Sequence, residues 1–210
     1  MPKPTITYHY DALCGWCYGF TNTLRSLRDK YGETIDFKVV SGGLFVGARV
    51  GYLNNVAPYV KDGAYLQVEQ RTGMTFGEGF KQRGIADNAM MMDSLPPAIA
   101  LCIVREERPE KAEDYAALLL KAFYADGLSA DDLAQYGQYA AKIGVNIPDF
   151  EAKMTATKYI AMAKAEFAAC AASGVRGYPA LVLKTNTRED FLSNGYSDFA
   201  TIDNILQQVL

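Results

Sequence analysis

The sequence predicts an α/β fold in which a small sheet is interrupted by a large, all-helical insertion. Three observations lead to it. A strand–helix–strand pattern begins the chain, strand patterns return only after Gly174, and the stretch between has helical periodicity. At roughly 150 residues per domain, a chain of 210 residues suits one domain with an insertion. We therefore divide it into a discontinuous sheet domain, residues 1–45 and 174–210, and a helical insertion, residues 46–173.

The first part of the sheet domain has the pattern of a βαβ unit. Residues 5–10 alternate between Ile or Tyr and Thr or His, which is the period of a strand. Apolar residues then recur at helical spacing from Phe20 to Tyr31, and Gly32 marks the end of that helix. Residues 35–39 alternate again. This order predicts two parallel strands joined by a right-handed crossover.

Five helices are predicted in the insertion, from apolar stripes and from the Gly and Pro residues that mark their ends. Asp93 or Ser94 suits the start of the second helix, because short polar side chains cap helix N-termini. Residues 73–92 contain four glycines and are predicted to be loop-rich. The predicted helices lie near residues 55–71, 95–107, 109–125, 130–143 and 156–173.

Strand patterns return near the end of the chain. Residues 180–183 form an apolar run that is typical of a strand buried on both faces. A turn signal and residues 190–195 predict a partner strand in a hairpin. Ser197 or Asp198 can cap a final helix that runs to about residue 210, with apolar residues along one face.

Composition excludes several classes of protein. Lys and Arg number 21 against 24 for Asp and Glu, so no basic surface for nucleic acid is indicated. Half of the residues are hydrophobic, which excludes intrinsic disorder. The longest apolar run, about residues 95–104, is shorter than the roughly 20 residues of a membrane helix, and the first residues lack a signal-peptide pattern. We expect a cytoplasmic protein with neither nucleic-acid nor membrane partners.

Cys14 and Cys17 give the strongest chemical signal. They lie three residues apart, directly after a predicted strand and at the start of a helix, so they share one helix face. Unpaired backbone N–H groups and the helix dipole favour a thiolate at that end. A thiolate at Cys14 can attack a disulfide, and Cys17 can then resolve the mixed disulfide. We therefore expect Cys14 to be the nucleophile and the more accessible thiol.

Two other interpretations of this pair stay open. A zinc site needs two more soft ligands, and the sequence has no second close pair of cysteines and only one histidine, His9. The pair can also be two inert, buried thiols. For Cys102 and Cys170, burial in the core is favoured because free cysteine behaves as a small hydrophobe, and His9 is expected to pack within the sheet. No metal and no other cofactor is predicted.

Three features resemble the thioredoxin superfamily, and within it the DsbA-like thiol–disulfide oxidoreductases. They are the Cys-Gly-Trp-Cys motif at a helix start, the Gly-Val-Arg-Gly-Tyr-Pro-Ala segment at 174–180 before an apolar strand, and the helical insertion. The run at 14–19 and Ser-Gly-Gly-Leu at 41–44 also resemble bacterial proteins described as predicted protein-disulfide isomerases. The resemblance implies a thioredoxin-like fold and spans essentially the whole chain.

The resemblance also implies roles for particular residues. Cys14 and Cys17 match the redox pair, and Pro179 matches a proline with a cis peptide bond that faces the thiols. Tyr178, before it, would offer its backbone to an extended substrate, as in strand addition. Trp16, at the predicted helix start, is a further candidate contact for a peptide partner.

The predicted function is thiol–disulfide exchange, as a protein-disulfide oxidoreductase or isomerase. Its partners would be protein or peptide thiols and disulfides, with an unidentified redox partner for recycling. The Gly-Trp dipeptide between the cysteines leaves oxidase, reductase and isomerase open. Two alternatives remain. One is a glutathione-dependent transferase or 2-hydroxychromene-2-carboxylate isomerase-like enzyme, which Cys17 disfavours because those relatives generally lack the pair. The other is a non-catalytic binding module of the same fold.

Overall fold

The computed structural model of the protein describes residues 2–209. The strands are β1 (Thr5–Tyr10), β2 (Asp36–Ser41), β3 (Gly51–Tyr52), β4 (Met91–Met92), β5 (Ala180–Lys184) and β6 (Glu189–Asn194). The α-helices are α1 (Gly15–Tyr31), α2 (Leu53–Val56), α3 (Tyr65–Thr72), α4 (Leu95–Glu107), α5 (Ala112–Tyr124), α6 (Leu133–Ala141), α7 (Ile147–Met154), α8 (Thr157–Ala172) and α9 (Phe199–Val209). In the described part of the chain, none of the helices has the length and apolarity that crossing a membrane requires.

Both ends of the chain meet in one four-stranded sheet of order β2-β1-β5-β6. β1 pairs in parallel with β2 and antiparallel with β5, and β6 pairs antiparallel with β5. The α/β class, the βαβ unit and the hairpin are therefore confirmed. Leu181 and Leu183 are fully buried, as the apolar run predicts for a strand inside the sheet.

The two faces of β1 meet different helices. Ile6, Tyr8 and Tyr10 point to one face and are buried, with the Tyr8 ring 5.6 Å from the ring of Phe20 on α1. His9 points to the opposite face, where it meets Cys170 of α8. The sheet is thus covered on both sides. The strand that leads to the Cys14–Cys17 motif pairs with β2 and β5 at its edges and packs on α1 and α8 at its faces.

The predicted cap positions are occupied in part. The Asp198 side chain accepts a hydrogen bond from the backbone N–H of Thr201 at 2.9 Å, at the start of α9. Near α4, the Asp93 side chain accepts from Leu95 N–H at 2.9 Å. The Ser94 hydroxyl does not cap this helix, because it accepts the backbone N–H of Phe45 instead.

The helix predicted over 55–71 is divided in the structure. α2 and α3 are separated by a π-helical turn at Val60–Ala64, in which Gly63 has a φ of +105°. An α-helix cannot continue through that conformation, which glycine adopts readily. Gly63 is itself a sequence signal for this interruption. The apolar periodicity on both sides of it led to the prediction of one continuous helix.

The insertion contains three elements that the sequence did not predict. α7 begins where the Asn146 side chain accepts the N–H of Asp149 at 3.2 Å, with Pro148 in its first turn. A second π-helical turn, Phe80–Ala86, lies in the segment predicted as loop. β3 and β4 form a two-stranded ribbon, and each is too short for an alternating pattern to reveal it.

Asp11 joins the end of β1 to the segment that follows β2. Its carboxylate accepts the backbone N–H of Leu13 at 2.9 Å, of Gly43 at 3.0 Å and of Leu44 at 2.7 Å. The side chain is buried, and this burial raises the carboxyl pKa despite the three donors. The residues just before Cys14 are therefore tied to a second chain segment.

We expect Asp11→Ala to lower the free energy of unfolding by about 1–3 kcal/mol or more, because a single unsatisfied buried donor costs about that much. Denaturant unfolding measures the change. Asp36→Ala is the matched control, since Asp36 is exposed on β2, and it should change stability by about 0.5 kcal/mol or less. An Asp11→Ala protein as stable as the wild type would contradict this role.

The Asp11 effect should also depend on pH. Because the pKa of the carboxyl is raised on folding, the protonated form is favoured in the folded state more than in the unfolded chain. The stability that Asp11 contributes is then greatest below its usual pKa of about 4 and falls as the pH rises above it. Unfolding measured at several pH values should show the wild-type advantage over Asp11→Ala shrinking toward neutral pH.

Candidate active site

Cys14 lies at the N-terminal cap of α1, and Cys17 lies one turn further. The Cys14 carbonyl accepts the backbone N–H groups of Cys17 at 2.9 Å and of Tyr18 at 3.1 Å, so one closed turn carries both thiols. Both cysteines are free. Cys14 is 6% exposed and Cys17 is fully buried, which makes Cys14 the more accessible of the two.

The sheet brings a distant segment to Cys14. Ala180 at the start of β5 pairs with His9 on β1, so the residues before β5 lie beside the residues after β1. The Tyr178–Pro179 peptide bond is cis. The Cys14 thiol donates a hydrogen bond to the Tyr178 carbonyl at 3.4 Å, across 164 positions in the sequence. Four of the five candidate residues of the sequence analysis thus lie close together at the start of α1: Cys14, Cys17, Tyr178 and Pro179.

Trp16, the fifth candidate, lies at the same end of α1 and is half-buried. Its ring centroid is 5.4 Å from that of Tyr196, and its side chain helps to line a cavity beside Cys14. Packing on Tyr196 fixes the indole ring without removing it from the cavity wall. Trp16 is thus a packed ring that lines the cavity next to Cys14, and its contact with a peptide partner stays a prediction.

Cys17 is packed against Tyr8 of β1. Burial raises the pKa of the Cys17 thiol well above its usual range, and Cys14 adds to this. Among residues 2–209 the buried Tyr8 hydroxyl has no hydrogen-bond partner. Cys17 is thus held as a protonated thiol at neutral pH.

The Tyr178 side chain is fixed at both ends. Its ring lies on Gly42, where an added Cβ would be 2.1 Å from a ring carbon. Its hydroxyl is 3.5 Å from the Cys170 sulfur, which in turn is 3.4 Å from His9 Nδ1. Burial raises the pKa of Tyr178 and of Cys170 and lowers that of His9, so all three groups are neutral. Cys170 and His9 are buried as predicted. No sequence pattern indicated that Cys170 contacts both His9 and Tyr178.

A cavity of about 260 Å³ opens beside Cys14. We call it the apolar chamber. No charged residue is among the described residues that line it. Its walls include seven aromatic side chains, Trp16, Phe45, Tyr59, Tyr65, Phe76, Tyr124 and Tyr178. A larger cavity of about 720 Å³ lies between α1, β2 and α5, but neither Cys14 nor Cys17 lines it.

The sequence analysis left two other interpretations of Cys14 and Cys17 open, a zinc site and a pair of inert, buried thiols. Cys102 is fully buried on α4, as predicted, and contacts Arg105 and Glu166. Across residues 2–209, no three His, Cys, Asp or Glu side chains come together in a way that could hold a metal ion. Cys14 and Cys17 are two neighbouring thiols, and Cys14 borders the apolar chamber.

We expect Gly42→Ala to lower the free energy of unfolding by about 1–3 kcal/mol, the usual cost of overpacking, because the added methyl group meets the Tyr178 ring. Gly177→Ala is the control, since its Cβ would meet no atom within 4 Å. In a Tyr178→Ala background the cost of Gly42→Ala should largely disappear. An unchanged cost there, measured by denaturant unfolding, would show that Tyr178 is not what Gly42 accommodates.

Comparison with solved structures shows the same fold in other proteins. A protein provisionally described as a protein disulfide isomerase, from Nitrosomonas europaea, matches with a TM-score of 0.86 and 23% identity, over 99% of this chain and 97% of that one. The cytosolic disulfide reductase DsbM from Pseudomonas aeruginosa matches with a TM-score of 0.75 and 24% identity, over 98% of each chain. A structure of DsbM with GSH matches with a TM-score of 0.76, 21% identity and the same coverage.

The family assignment comes from the sequence itself. A search of curated proteins returns no match. The model of the DSBA-like thioredoxin domain matches residues 5–207, nearly the whole chain. The thioredoxin-like fold with its helical insertion agrees with the resemblance found in the sequence, and the chain belongs to the DSBA-like thioredoxin domain family.

Proposed function

We propose that the protein is a thiol–disulfide oxidoreductase that exchanges disulfides with protein or peptide thiols, with Cys14 as nucleophile and Cys17 as resolving thiol. One observation carries the proposal: Cys14 lies at the start of α1 beside the Tyr178 carbonyl, with Cys17 one turn behind it. The family supports oxidoreductase activity in general terms. The finer assignment depends on the different surroundings of the two thiols.

The first step uses the Cys14 thiolate. It attacks one sulfur of a substrate disulfide, a Cys14–substrate disulfide forms, and the other substrate sulfur leaves as a thiolate that takes up a proton. The N–H groups of Gly15 and Trp16, in the first turn of α1, can have no acceptor within that helix. They and the helix dipole stabilise the attacking thiolate.

The second step uses Cys17. Cys17 loses its proton and attacks the Cys14 sulfur, the Cys14–Cys17 disulfide forms, and the substrate sulfur is released as a thiolate that takes up a proton in turn. The pair is oxidised by two electrons and the substrate disulfide is reduced. The reverse sequence oxidises a substrate dithiol. Because burial raises the pKa of Cys17, this thiol does not compete with Cys14 for the first attack, since thiolates are the nucleophiles.

Substrate would bind along the backbone at Tyr178. An extended segment can pair with that backbone by strand addition, and Pro179, which has no N–H, offers no competing donor. Trp16 and the Tyr178 ring would contact side chains on either side of the reacting sulfur. We place this chemistry in the cytoplasm, where the neighbour DsbM is described as acting, and GSH in one DsbM structure makes glutathione a candidate for the recycling thiol.

The two alternative functions are secondary. A glutathione-dependent transferase or isomerase has no evident use for a second thiol in the same helical turn. A non-catalytic binding module has no evident use for either thiol. The retained pair, with one member at the helix start, favours exchange chemistry over both.

Limited alkylation tests the assignment of the nucleophile. With reduced protein near neutral pH, iodoacetamide should modify Cys14 before the other three cysteines, because those are at most 2% exposed and lack the helix-start position. Mass spectrometry of the digested protein gives the order. Faster modification of Cys17, Cys102 or Cys170 would overturn the assignment.

Single serine variants test the division of roles. Cys14→Ser should abolish disulfide exchange, because the attacking thiolate is lost. Cys17→Ser should instead accumulate a mixed disulfide at Cys14, because the resolving thiol is lost. Cys102→Ser is the matched control for loss of a buried thiol, and it should exchange at close to the wild-type rate. Equal residual activity in the Cys14 and Cys17 variants would refute the mechanism.

A further inference from the structure

The Tyr178 carbonyl lies in a segment without helix or strand, residues 173–179, between α8 and β5. Hydrogen bonds at 2.9 Å tie the Arg176 N–H and the Pro179 carbonyl to the end of β6 and the residue that follows it. Between these two points the backbone is loosely packed, since a Cβ added at Gly177 would meet no atom within 4 Å. The Tyr178 side chain is therefore an important support for its own backbone.

The Tyr178 hydroxyl reaches the face of the sheet that α8 covers. There its oxygen is 3.5 Å from Cys170 Sγ, and Cys170 Sγ is 3.4 Å from His9 Nδ1. The Tyr178 O–H can donate to the sulfur while the Cys170 S–H donates to His9 Nδ1, so one orientation of the protons satisfies both contacts. Cys170 and His9 are 2% and 8% exposed, which shields these contacts from water.

These contacts connect β1 to the reacting sulfur by a second route. His9 lies on β1, the strand that ends shortly before Cys14. From His9 the contacts pass through Cys170 on α8 to the Tyr178 hydroxyl, and the Tyr178 carbonyl accepts the Cys14 thiol at 3.4 Å. Between hydroxyl and carbonyl, the ring lies on Gly42, where an added Cβ would be 2.1 Å from a ring carbon. A residue of the insertion thus fixes where the Tyr178 carbonyl lies relative to Cys14.

We propose that Cys170 is a positioning residue for disulfide exchange: through the Tyr178 hydroxyl it holds the Tyr178 backbone where an extended substrate pairs with it beside Cys14. This proposal rests on the proposed function and adds a residue to the same reaction. Cys170 stays a thiol throughout and exchanges no electrons. Because a misplacement of about 1 Å can cost about 100-fold in rate, loss of this contact should slow the substrates that use the Tyr178 backbone.

The test compares two disulfides that differ in whether they can pair with that backbone. One is a short peptide, blocked at both ends, with a thiopyridine group on its central cysteine. The other is 2-mercaptoethanol with the same thiopyridine group, which has no peptide backbone. Release of thiopyridone by the reduced protein gives a second-order rate constant for each. We expect Cys170→Ala to reduce the constant for the peptide by about 10-fold and to leave that for the mercaptoethanol derivative essentially unchanged.

Two further variants identify the contact that is responsible. Tyr178→Phe removes the hydroxyl and keeps the ring on Gly42, so it should slow the peptide as much as Cys170→Ala does. The double variant should lose no more than either single variant, because both remove the same contact. Cys102→Ala is the matched control, since Cys102 is another fully buried cysteine of the insertion, and it should leave both rate constants unchanged.

Thermal unfolding checks the fold of each variant, and Tyr178→Phe carries the same expectation if Cys170→Ala does not fold. An equal loss with both disulfides would show that Cys170 only supports the fold, and an unchanged rate with the peptide would show that it positions nothing. Additive losses in the double variant would exclude the contact with Tyr178 as the cause. Each of these results overturns the positioning role and leaves the exchange function standing. Absence of thiopyridone release by the wild type from either disulfide would refute the exchange function itself.

Discussion

The pairing of β1 with β5 is the constraint on which the site depends. β1 delivers Cys14 at its carboxyl end, and β5 begins directly after Tyr178 and Pro179. Because the two strands are antiparallel, with His9 opposite Ala180, the end of one lies beside the start of the other. The contact between the Cys14 thiol and the Tyr178 carbonyl follows from this register, and a slip of one residue would turn every side chain of β5 to the other face.

The second constraint is the different burial of the two thiols. A helix start gives Cys14 the dipole and free N–H groups that favour a thiolate, whereas Cys17, one turn later, faces the sheet and the Tyr8 hydroxyl. The short spacing keeps the sulfurs within reach of each other, and the helix separates their environments. One structural element thereby assigns two chemical roles to two identical side chains.

Much of this arrangement was accessible from the sequence, because the signals involved are local. Alternation in residues 5–10 and 35–39, the apolar run at 180–183 and the spacing of Cys14 and Cys17 each depend on neighbours in the chain. The chamber had no such signal. Trp16, Tyr59, Phe76 and Tyr124 come from separate segments, and nothing in the residues around any one of them indicates the others. The contact of Cys170 with Tyr178 was missed for the same reason. For α7 a local signal existed, because Asn146 and Pro148 mark the start of a helix, but Pro148 was interpreted only as a boundary.

The insertion therefore contributes more than additional core. Insertion residues between 53 and 76, with Met92 and Tyr124, supply nine of the sixteen described residues that line the chamber. The sheet domain supplies the other seven, which include Cys14 and Tyr178. We propose that residues 1–45 with 174–210, and residues 46–173, are two structural units, with the thiols in the first and more than half of the chamber wall in the second.

The most direct test of the central claim is a redox titration of the protein in glutathione buffers, with the disulfides mapped by mass spectrometry after acid quenching. The account predicts one reversible two-electron transition, in which Cys14 and Cys17 become joined while Cys102 and Cys170 stay reduced. It would be contradicted by a bridge that involves Cys102 or Cys170, or by a Cys14–Cys17 pair that stays reduced even in the most oxidising buffer.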